Sequence, residues 1–364
     1  MPRVRIGVIG LGRITQLMHL PHLRDLDDRF EMAGVCDVSL ELAQLMADRY
    51  HVPLATANYR DLLQAELDAV LVAVPVPPEG IVTDALAAGA HVFVEKPMAW
   101  TPARARRLTA AAPAAGRVLM VGFMKRYDPA YRLAQRFVQE MGQVRGGTVR
   151  CVLGPNDLFL RDLLRLAAPE AVDPDVEQAG RDAASSRFFE AIGEAPDELR
   201  AAYRGLLFLA SHDLSMLRGL VGAPYEVTST SVWHGGRWLI TTLRYEDFSL
   251  TYTMGAMATR HFEERVELYA DTQTVRLVFP SPFLRHAPTI VTREYVDGHR
   301  TAQESSVASY DEAFRLELEH FHDCIVGGGP PDTPASDASA DVELMVAIIR
   351  AAAGGRPQSV GLGS

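Results

Sequence analysis

Val4-Arg-Ile-Gly-Val-Ile-Gly-Leu-Gly-Arg-Ile-Thr15 is a short apolar run followed by a glycine-rich turn. The run is typical of a buried strand, and residues 13–26 carry apolar side chains at helical spacing. Glycines in such a strand-turn-helix let backbone N–H groups approach a pyrophosphate, whose charge the helix N-terminus favours. The turn therefore predicts a dinucleotide site, although Thr15 stands where a third glycine or alanine is expected.

A carboxylate further along the chain strengthens this prediction. Asp37 ends the second apolar run, 25 residues after Gly12, where a carboxylate can accept hydrogen bonds from both ribose hydroxyls of a dinucleotide. An acidic side chain there repels a 2′-phosphate, so we expect NAD rather than NADP. The alternative is a structural turn together with a helix-capping aspartate.

Strand-like and helix-like segments alternate through the first third of the chain. Further apolar runs lie at residues 31–36, 69–74, 90–94 and 118–122. Strands that alternate with helices of about 10 to 15 residues imply right-handed crossovers and a parallel sheet. We therefore expect residues 1–122 to form a doubly wound α/β Rossmann domain that binds a dinucleotide.

Beyond residue 123 the pattern changes to consecutive strands. A helix over 128–141 and a strand over 147–153 are followed by six strand-like runs between residues 226 and 295. Short turns between such runs indicate an antiparallel meander, so residues 123–364 are predicted to be an α+β domain that ends in two helices. A helical insertion is expected at about 156–205, where residues 170–200 are strongly acidic and are interpreted as a solvated surface rather than a metal site.

Composition excludes several classes of protein. The formal net charge of −10 repels phosphate backbones and anionic membrane surfaces. Three widely spaced cysteines argue against a disulfide framework and a cysteine-based zinc site, and we expect no metal. No apolar run approaches membrane-spanning length, and no cleavable leader is recognised. We therefore expect a cytoplasmic protein that has a small-molecule substrate and binds neither nucleic acid nor a membrane.

Two further residues are candidates for chemistry. Lys96, in Glu95-Lys96-Pro97, follows the fourth strand of the predicted sheet, and an ammonium at that edge can stabilise a negative oxygen. His212 lies on a helix predicted over about 205–221, and an imidazole titrates near neutrality. Without context, the lysine could be structural and the histidine could be a core residue.

Together these residues resemble the Gfo/Idh/MocA family of oxidoreductases, over nearly the whole chain. The motifs that carry the resemblance are Gly10-Leu-Gly12, Asp37, Pro75, Ala87-Ala-Gly-Ala-His-Val-Phe-Val-Glu-Lys-Pro97, Gly122-Phe-Met-Lys-Arg-Tyr-Asp-Pro129, Ser211-His-Asp-Leu214 and Phe314-Arg-Leu-Glu-Leu-Glu319. The resemblance implies a Rossmann domain joined to a domain with a large, mainly antiparallel open sheet. It also implies a nicotinamide cofactor, a sugar, cyclitol or related substrate, and a homodimer or homotetramer formed through the open sheet.

By this resemblance Lys96 and His212 are the catalytic residues. The residues that it implies for cofactor binding are Gly10, Gly12, Arg13, Ile14, Asp37, Pro75, Glu95 and Lys96. The sequence departs from the family at three positions, where Phe208 replaces an aspartate, Ser215 an acidic residue and Glu79 a histidine.

The expected reaction is hydride transfer between nicotinamide and a carbon that bears a hydroxyl or carbonyl group. Lys96 would hold the oxygen and His212 would carry the proton, while Phe208 would present an aromatic face to the substrate. Lys125 and Tyr127 are weaker candidates for substrate contact, with a packing role as the alternative. Two other functions stay open: an NAD-recycling enzyme that cleaves glycosidic bonds, and a dinucleotide-dependent binding or sensor protein with altered chemistry.

Overall fold

The computed structural model describes residues 2–155, 166–168 and 172–360. These residues form two compact units. The first unit comprises the chain up to Phe123, the segment that ends at Ala191, and Phe314–Ser339. The second comprises the segment that begins at Met124, Ile192–Ala313 and the chain from Ala340 onward. The sequence led us to expect a single boundary at residue 122, whereas two later segments of the chain return to the first unit.

The first unit contains a six-stranded sheet in the order β3-β2-β1-β4-β5-β6, with every pair of neighbours parallel. Its strands are β1 (Val4–Ile9), β2 (Phe30–Cys36), β3 (Ala55–Thr56), β4 (Ala69–Val72), β5 (His91–Glu95) and β6 (Leu119–Gly122). Its first helices are α1 (Leu20–Asp25), preceded by a π-helical turn (Thr15–His19), then α2 (Leu40–Tyr50), α3 (Tyr59–Leu62), α4 (Glu79–Ala87) and α5 (Pro102–Ala115). This is the doubly wound Rossmann sheet that the sequence predicted.

The strands of this sheet are buried on both faces, which explains why they read as nearly continuous apolar runs. All four residues of β4 are fully buried, as are Val92, Phe93 and Val94 of β5. The strand order reverses between β1 and β4, so the crevice beyond their carboxyl ends is the position where such sheets bind ligands.

The second unit contains a nine-stranded sheet in the order β14-β13-β12-β11-β7-β10-β9-β8-β15. Its strands are β7 (Gly146–Leu153), β8 (Glu226–Trp233), β9 (Trp238–Arg244), β10 (Ser249–Ala256), β11 (Phe262–Tyr269), β12 (Gln273–Phe279), β13 (Ile290–Asp297), β14 (Arg300–Val307) and β15 (Gln358–Ser359). The predicted meander is interrupted, because β7 lies between β10 and β11 and pairs with β10 in parallel. The sheet is otherwise antiparallel, so the predicted α+β class is confirmed.

The remaining helices are α6 (Pro129–Glu140), α7 (Pro174–Ile192), α8 (Asp197–Gly205), α9 (Ser211–Val221), α10 (Ala313–Gly327) and α11 (Ala335–Gly354). The helix predicted over 205–221 is divided by a π-helical turn, Leu206–Ala210, so α9 begins at Ser211. In the predicted insertion at 156–205, residues 156–165 and 169–171 lie outside the described residues, and the rest contains α7 and α8. Within the described part of the chain, no helix is long and apolar enough to cross a membrane.

Candidate active site

The glycine-rich turn after β1 has the geometry that dinucleotide binding requires. Gly10 adopts a positive φ of 90°, and a Cβ there would collide with the carbonyl oxygen of Ala73. At Gly12 a Cβ would meet nothing within 4 Å, so space is open to a ligand beside this backbone. The Thr15 hydroxyl donates a hydrogen bond of 2.7 Å to the Gly10 carbonyl oxygen, which shows how threonine is accommodated at the third position of the motif.

Asp37 lies directly after β2, and two backbone amides orient its half-buried carboxylate. Leu11 N donates to Oδ2 at 2.8 Å and Ser39 N donates to Oδ1 at 3.0 Å. A carboxylate has about four acceptor positions, so these two bonds leave capacity for ribose hydroxyls. The N-cap of α2 is Ser39, whose side chain accepts from Leu42 N at 3.2 Å. Asp37 is therefore not the helix cap that the alternative interpretation required, and the residues of this turn fit a bound dinucleotide.

Lys96 follows β5 in the first unit and is half-buried. Its backbone N–H donates to Glu95 Oε2 at 3.2 Å, and Glu95 Oε1 lies 2.7 Å from His19 Nε2. The carboxyl ends of β4 and β5 are adjacent, so Lys96 lies at the same edge of the sheet as Pro75. The side chain of Glu95 thus holds the backbone from which Lys96 projects.

Glu317 of α10 completes a buried group with His19 and Glu95, here called the glutamate cluster. One ligand atom from each of the three side chains lies within 4.8 Å of the other two. Glu317 is fully buried, and neither of its carboxyl oxygens has a hydrogen-bond partner among the described residues. Burial and the charge of Glu95 raise the pKa of Glu317 well above its usual range. The geometry could accommodate a metal ion, but the raised pKa favours a bound proton at Glu317.

His212 lies in the first turn of α9 in the second unit and is half-buried. The π-helical turn before it carries Phe208, so Phe208 and His212 do not have the spacing of the single α-helix predicted over 205–221. The guanidinium of Arg204 lies over the Phe208 ring, 5.7 Å from its centroid. Ser215, which stands where the family has an acidic residue, is fully buried.

Lys125 is buried among acidic and aromatic side chains in the second unit. Its Nζ lies 3.2 Å from Asp213 Oδ1 and forms an ion pair with Glu264, while the Tyr252 hydroxyl donates to Asp213 Oδ2 at 3.1 Å. We call Lys125, Asp213, Glu264 and Tyr252 the lysine cluster. Because Lys125 is only 3% exposed, its position favours the packing role that the sequence had left as the alternative to substrate contact. Tyr127 is buried as well, and the Arg132 guanidinium lies 5.9 Å from its ring centroid.

Both clusters were missed from the sequence. Asp213 directly follows the predicted catalytic histidine, and Glu317 falls within the quoted motif 314–319, so each had a signal in its neighbourhood. Glu264 had none, since it is one of several charged residues on β11.

The fold and the geometry of the glycine-rich turn define the first unit as an NAD(P)-binding Rossmann domain. Residues 4–123 match the family model for GFO_IDH_MocA, an oxidoreductase family with an NAD-binding Rossmann fold. This match spans residues 4–123 and agrees, over the Rossmann domain, with the resemblance drawn from the sequence.

Individual relatives agree with this assignment. The chain is 41% identical over 146 residues to inositol 2-dehydrogenase/D-chiro-inositol 3-dehydrogenase of Shouchella clausii, covering 38% of this chain and 41% of that protein. It is 39% identical over 146 residues to inositol 2-dehydrogenase of Paracoccus denitrificans, covering 38% of this chain and 42% of that protein. The chain thus spans less than half the length of these curated relatives.

Solved structures match the fold over both units. A levoglucosan dehydrogenase in complex with NADH superposes with a TM-score of 0.76 at 18% identity and covers 99% of each chain. Myo-inositol 2-dehydrogenase of Lactobacillus plantarum gives a TM-score of 0.73 at 18% identity, covering 99% of this chain and 100% of that chain. At these identities the likeness establishes the shared fold.

Proposed function

We propose that this protein is an NAD-dependent oxidoreductase that transfers a hydride to or from a carbon bearing oxygen in a sugar, cyclitol or related polyol. The observation that carries the proposal is the carboxylate of Asp37, oriented by Leu11 N and Ser39 N beside the open backbone at Gly12. A dinucleotide held there needs an acceptor for its ribose hydroxyls, and Asp37 has the capacity to be that acceptor.

The cofactor site would be assembled on the first unit. We assign it the residues Gly10, Gly12, Arg13, Ile14, Asp37, Pro75, Glu95 and Lys96. Bound nicotinamide would supply the hydride donor or acceptor that no amino-acid side chain provides. The negative charge of Asp37 opposes a 2′-phosphate, which supports NAD as the preferred form.

Lys96 and His212 would divide the chemistry of the substrate oxygen between them. The ammonium group of Lys96 would donate to that oxygen and stabilise negative charge on it, while the imidazole of His212 would take up or deliver the hydroxyl proton. Phe208 in place of an acidic residue supports a substrate less polar than free inositol. The substrate class itself rests on relatives named for inositol and levoglucosan.

Cofactor binding is the first test of this proposal. We expect NAD to bind more tightly than NADP by calorimetry, and Asp37→Ala to weaken NAD binding at least about tenfold through loss of the ribose hydrogen bonds. Asp48→Ala, which removes an exposed carboxylate from α2, is the matched control and should leave the affinity unchanged. Absence of binding by any form of the dinucleotide at millimolar concentration would overturn the proposed function.

Turnover is the second test, with a panel of sugars and cyclitols followed by the absorbance of the reduced cofactor. We expect Lys96→Ala and His212→Ala each to lower kcat/KM by a factor of about 10² to 10⁴. His299→Ala, at an exposed turn of the second unit, should retain full activity. Product without net cofactor change would favour the NAD-recycling enzyme, and binding without turnover would favour a sensor. Full activity of both active-site variants would refute the residue assignment.

The open sheet supports a further proposal, that the protein is a homodimer or homotetramer. Large apolar side chains are exposed on its strands, among them Ile240 (40%), Val278 (40%) and Val296 (56%). Exposed apolar area on a sheet is often covered by another subunit. Sedimentation equilibrium should therefore give a mass of two or four chains. A cytoplasmic location stays a prediction.

A further inference from the structure

The described part of the acidic insertion lies on the first unit at two separate places. The first contact is a pair of hydrogen bonds between the Gln16 side chain and the backbone of Ala167. Gln16 Nε2 donates to Ala167 O at 2.9 Å, and Ala167 N donates to Gln16 Oε1 at 3.0 Å. Gln16 belongs to the π-helical turn that directly follows the glycine-rich turn of β1. The backbone N–H and C=O of Ala167 are therefore both bonded to the π-helical turn that follows the glycine-rich turn.

The second contact is made by the carboxyl-terminal half of α7. Glu190 accepts hydrogen bonds from the Thr101 hydroxyl at 2.9 Å and from Arg104 Nε at 3.0 Å. Arg187 Nε lies 3.9 Å from Glu79 Oε2. The rings of Phe188 and Trp100 pack with their centroids 5.4 Å apart. The second contact thus combines hydrogen bonds, an ion pair and an aromatic pair.

These two contacts fall on opposite sides of the crevice in the Rossmann sheet. Gln16 follows β1, whereas Glu79 follows β4 and Trp100 follows β5. The strand order reverses between β1 and β4, and ligands of such sheets bind in the crevice beyond the carboxyl ends at this point. The insertion therefore contacts the loops on both sides of the position assigned to the dinucleotide.

Helix α7 is attached to the rest of the first unit by few side chains. Among the residues of α7, only Ala191 is buried, while Arg181 and Glu177 pair with each other on its exposed surface. A helix attached in this way has low local stability and can detach without unfolding the domain beneath it. Its attachment is therefore open to a mutational test that leaves the Rossmann core intact.

We propose that Ala167 and α7 are part of the cofactor site and slow release of the dinucleotide from the crevice. The inference rests on the proposed function, since it requires a dinucleotide at this edge of the sheet. Release of the dinucleotide would require the contacts of Arg187 and Glu190 to break. The proposed role of these two residues is therefore to keep α7 in place, and they take no part in the chemistry.

The experiment measures release of NADH, with NADPH in parallel, from the full-length protein by stopped-flow fluorescence after mixing with excess oxidised cofactor. The double variant Arg187→Ala/Glu190→Ala should release NADH about tenfold faster than the wild type. The control variant Arg181→Ala, on the exposed face of the same helix, should release it at the wild-type rate. In parallel, hydrogen exchange of the amides of α7 should slow when NADH is added to the wild type.

Equal release rates in all three proteins, with no protection of α7 by NADH, would overturn the inference while leaving the proposed function in place. Failure of the wild type to bind either NADH or NADPH would instead refute the proposed function. A circular-dichroism melt of the double variant shows whether the Rossmann unit is still folded. If the double variant is unfolded, Arg187→Gln alone serves in its place, because it removes the charged guanidinium and keeps the side-chain carbons as far as Cδ.

Discussion

The glutamate cluster and the lysine cluster both contain buried carboxyl groups, but they stabilise these groups in different ways. Each directly adjoins a residue proposed for catalysis, Glu95 beside Lys96 in the first unit and Asp213 beside His212 in the second. In the lysine cluster two buried carboxylates share the ammonium of Lys125. In the glutamate cluster Glu95 contacts the imidazole of His19, while Glu317 has no hydrogen-bond partner among the described residues. Burial opposes charge in both places.

The comparison shows what a buried carboxyl group needs. Where an ammonium is available, the carboxylates form ion pairs and hydrogen bonds, as Asp213 does with Lys125 and Tyr252. In the glutamate cluster burial and the Glu95 charge raise the pKa of Glu317, which favours its neutral form. We therefore expect the stability of the glutamate cluster to depend on pH and that of the lysine cluster to depend on the presence of its cation.

Removal of Lys125 is the most severe test of this difference. Lys125→Met leaves Asp213 and Glu264 buried without their cation, and breaking a buried ion pair in this way costs about 3–5 kcal/mol. Urea denaturation followed by circular dichroism measures the loss. Arg276→Ala, which breaks the more exposed pair with Glu267, should cost less than about 1 kcal/mol.

A compensating substitution makes the same test specific. The double variant Lys125→Met/Glu264→Gln has one buried carboxylate fewer than Lys125→Met. Its free energy of unfolding should therefore be higher than that of Lys125→Met. If the double variant were no more stable than Lys125→Met, the loss would reflect packing of the lysine side chain and not its charge.

A smaller effect is expected at Tyr252. Tyr252→Phe removes the hydroxyl that donates to Asp213 at 3.1 Å and leaves the ring in place. A hydrogen bond to a charged group contributes about 1.5–3 kcal/mol, so the midpoint of urea unfolding should fall without a change in slope. Tyr245→Phe is the matched control, because the Tyr245 hydroxyl is buried without a hydrogen-bond partner among the described residues. An equal loss in both variants would contradict the role of the Asp213 hydrogen bond.

The glutamate cluster predicts the most modest effect, a pH dependence. Because the pKa of Glu317 is raised in the folded protein, the folded state keeps a proton that the unfolded chain has released. Stability from this group is therefore complete below the usual carboxyl pKa and is lost as pH rises toward the folded pKa. Glu317→Gln keeps the shape and cannot ionise, so its Tm should exceed that of the wild type increasingly from pH 5 to pH 8.

Thermal melts of both proteins across this range measure the difference. Glu319→Gln, two residues further along α10 and paired with Arg315, controls for a general effect of carboxyl removal. A constant difference in Tm between Glu317→Gln and the wild type at all pH values would show that Glu317 does not retain a proton.

Much of the first unit could be predicted because its signals are local. Helix α2 spans Leu40–Tyr50, and the residue that caps it, Ser39, lies directly before it in the sequence. The strand before the glycine-rich turn is likewise found at Val4–Ile9. In both cases the residues that determine the element lie within the element or next to it.

Elements with polar sequences or distant partners were not predictable in this way. Strand β14, Arg300–Val307, carries mostly polar residues at the edge of the second sheet, so no apolar run marks it. The insertion of β7 between β10 and β11 depends on pairing between segments about a hundred residues apart, for which a single sequence offers no signal. The π-helical turn before His212 was missed because α-helical periodicity was assumed throughout.

The sequence by itself determined the parallel sheet, the glycine-rich turn and the position of Asp37, because strand and turn preferences act between neighbouring residues. Only the tertiary structure decided which side chains surround Glu95 and Lys125, and that α7 lies against the loops after β4 and β5. Those outcomes depend on burial and on pairing between residues far apart in the chain, where desolvation turns an ordinary charge into a group that must find a partner or a proton.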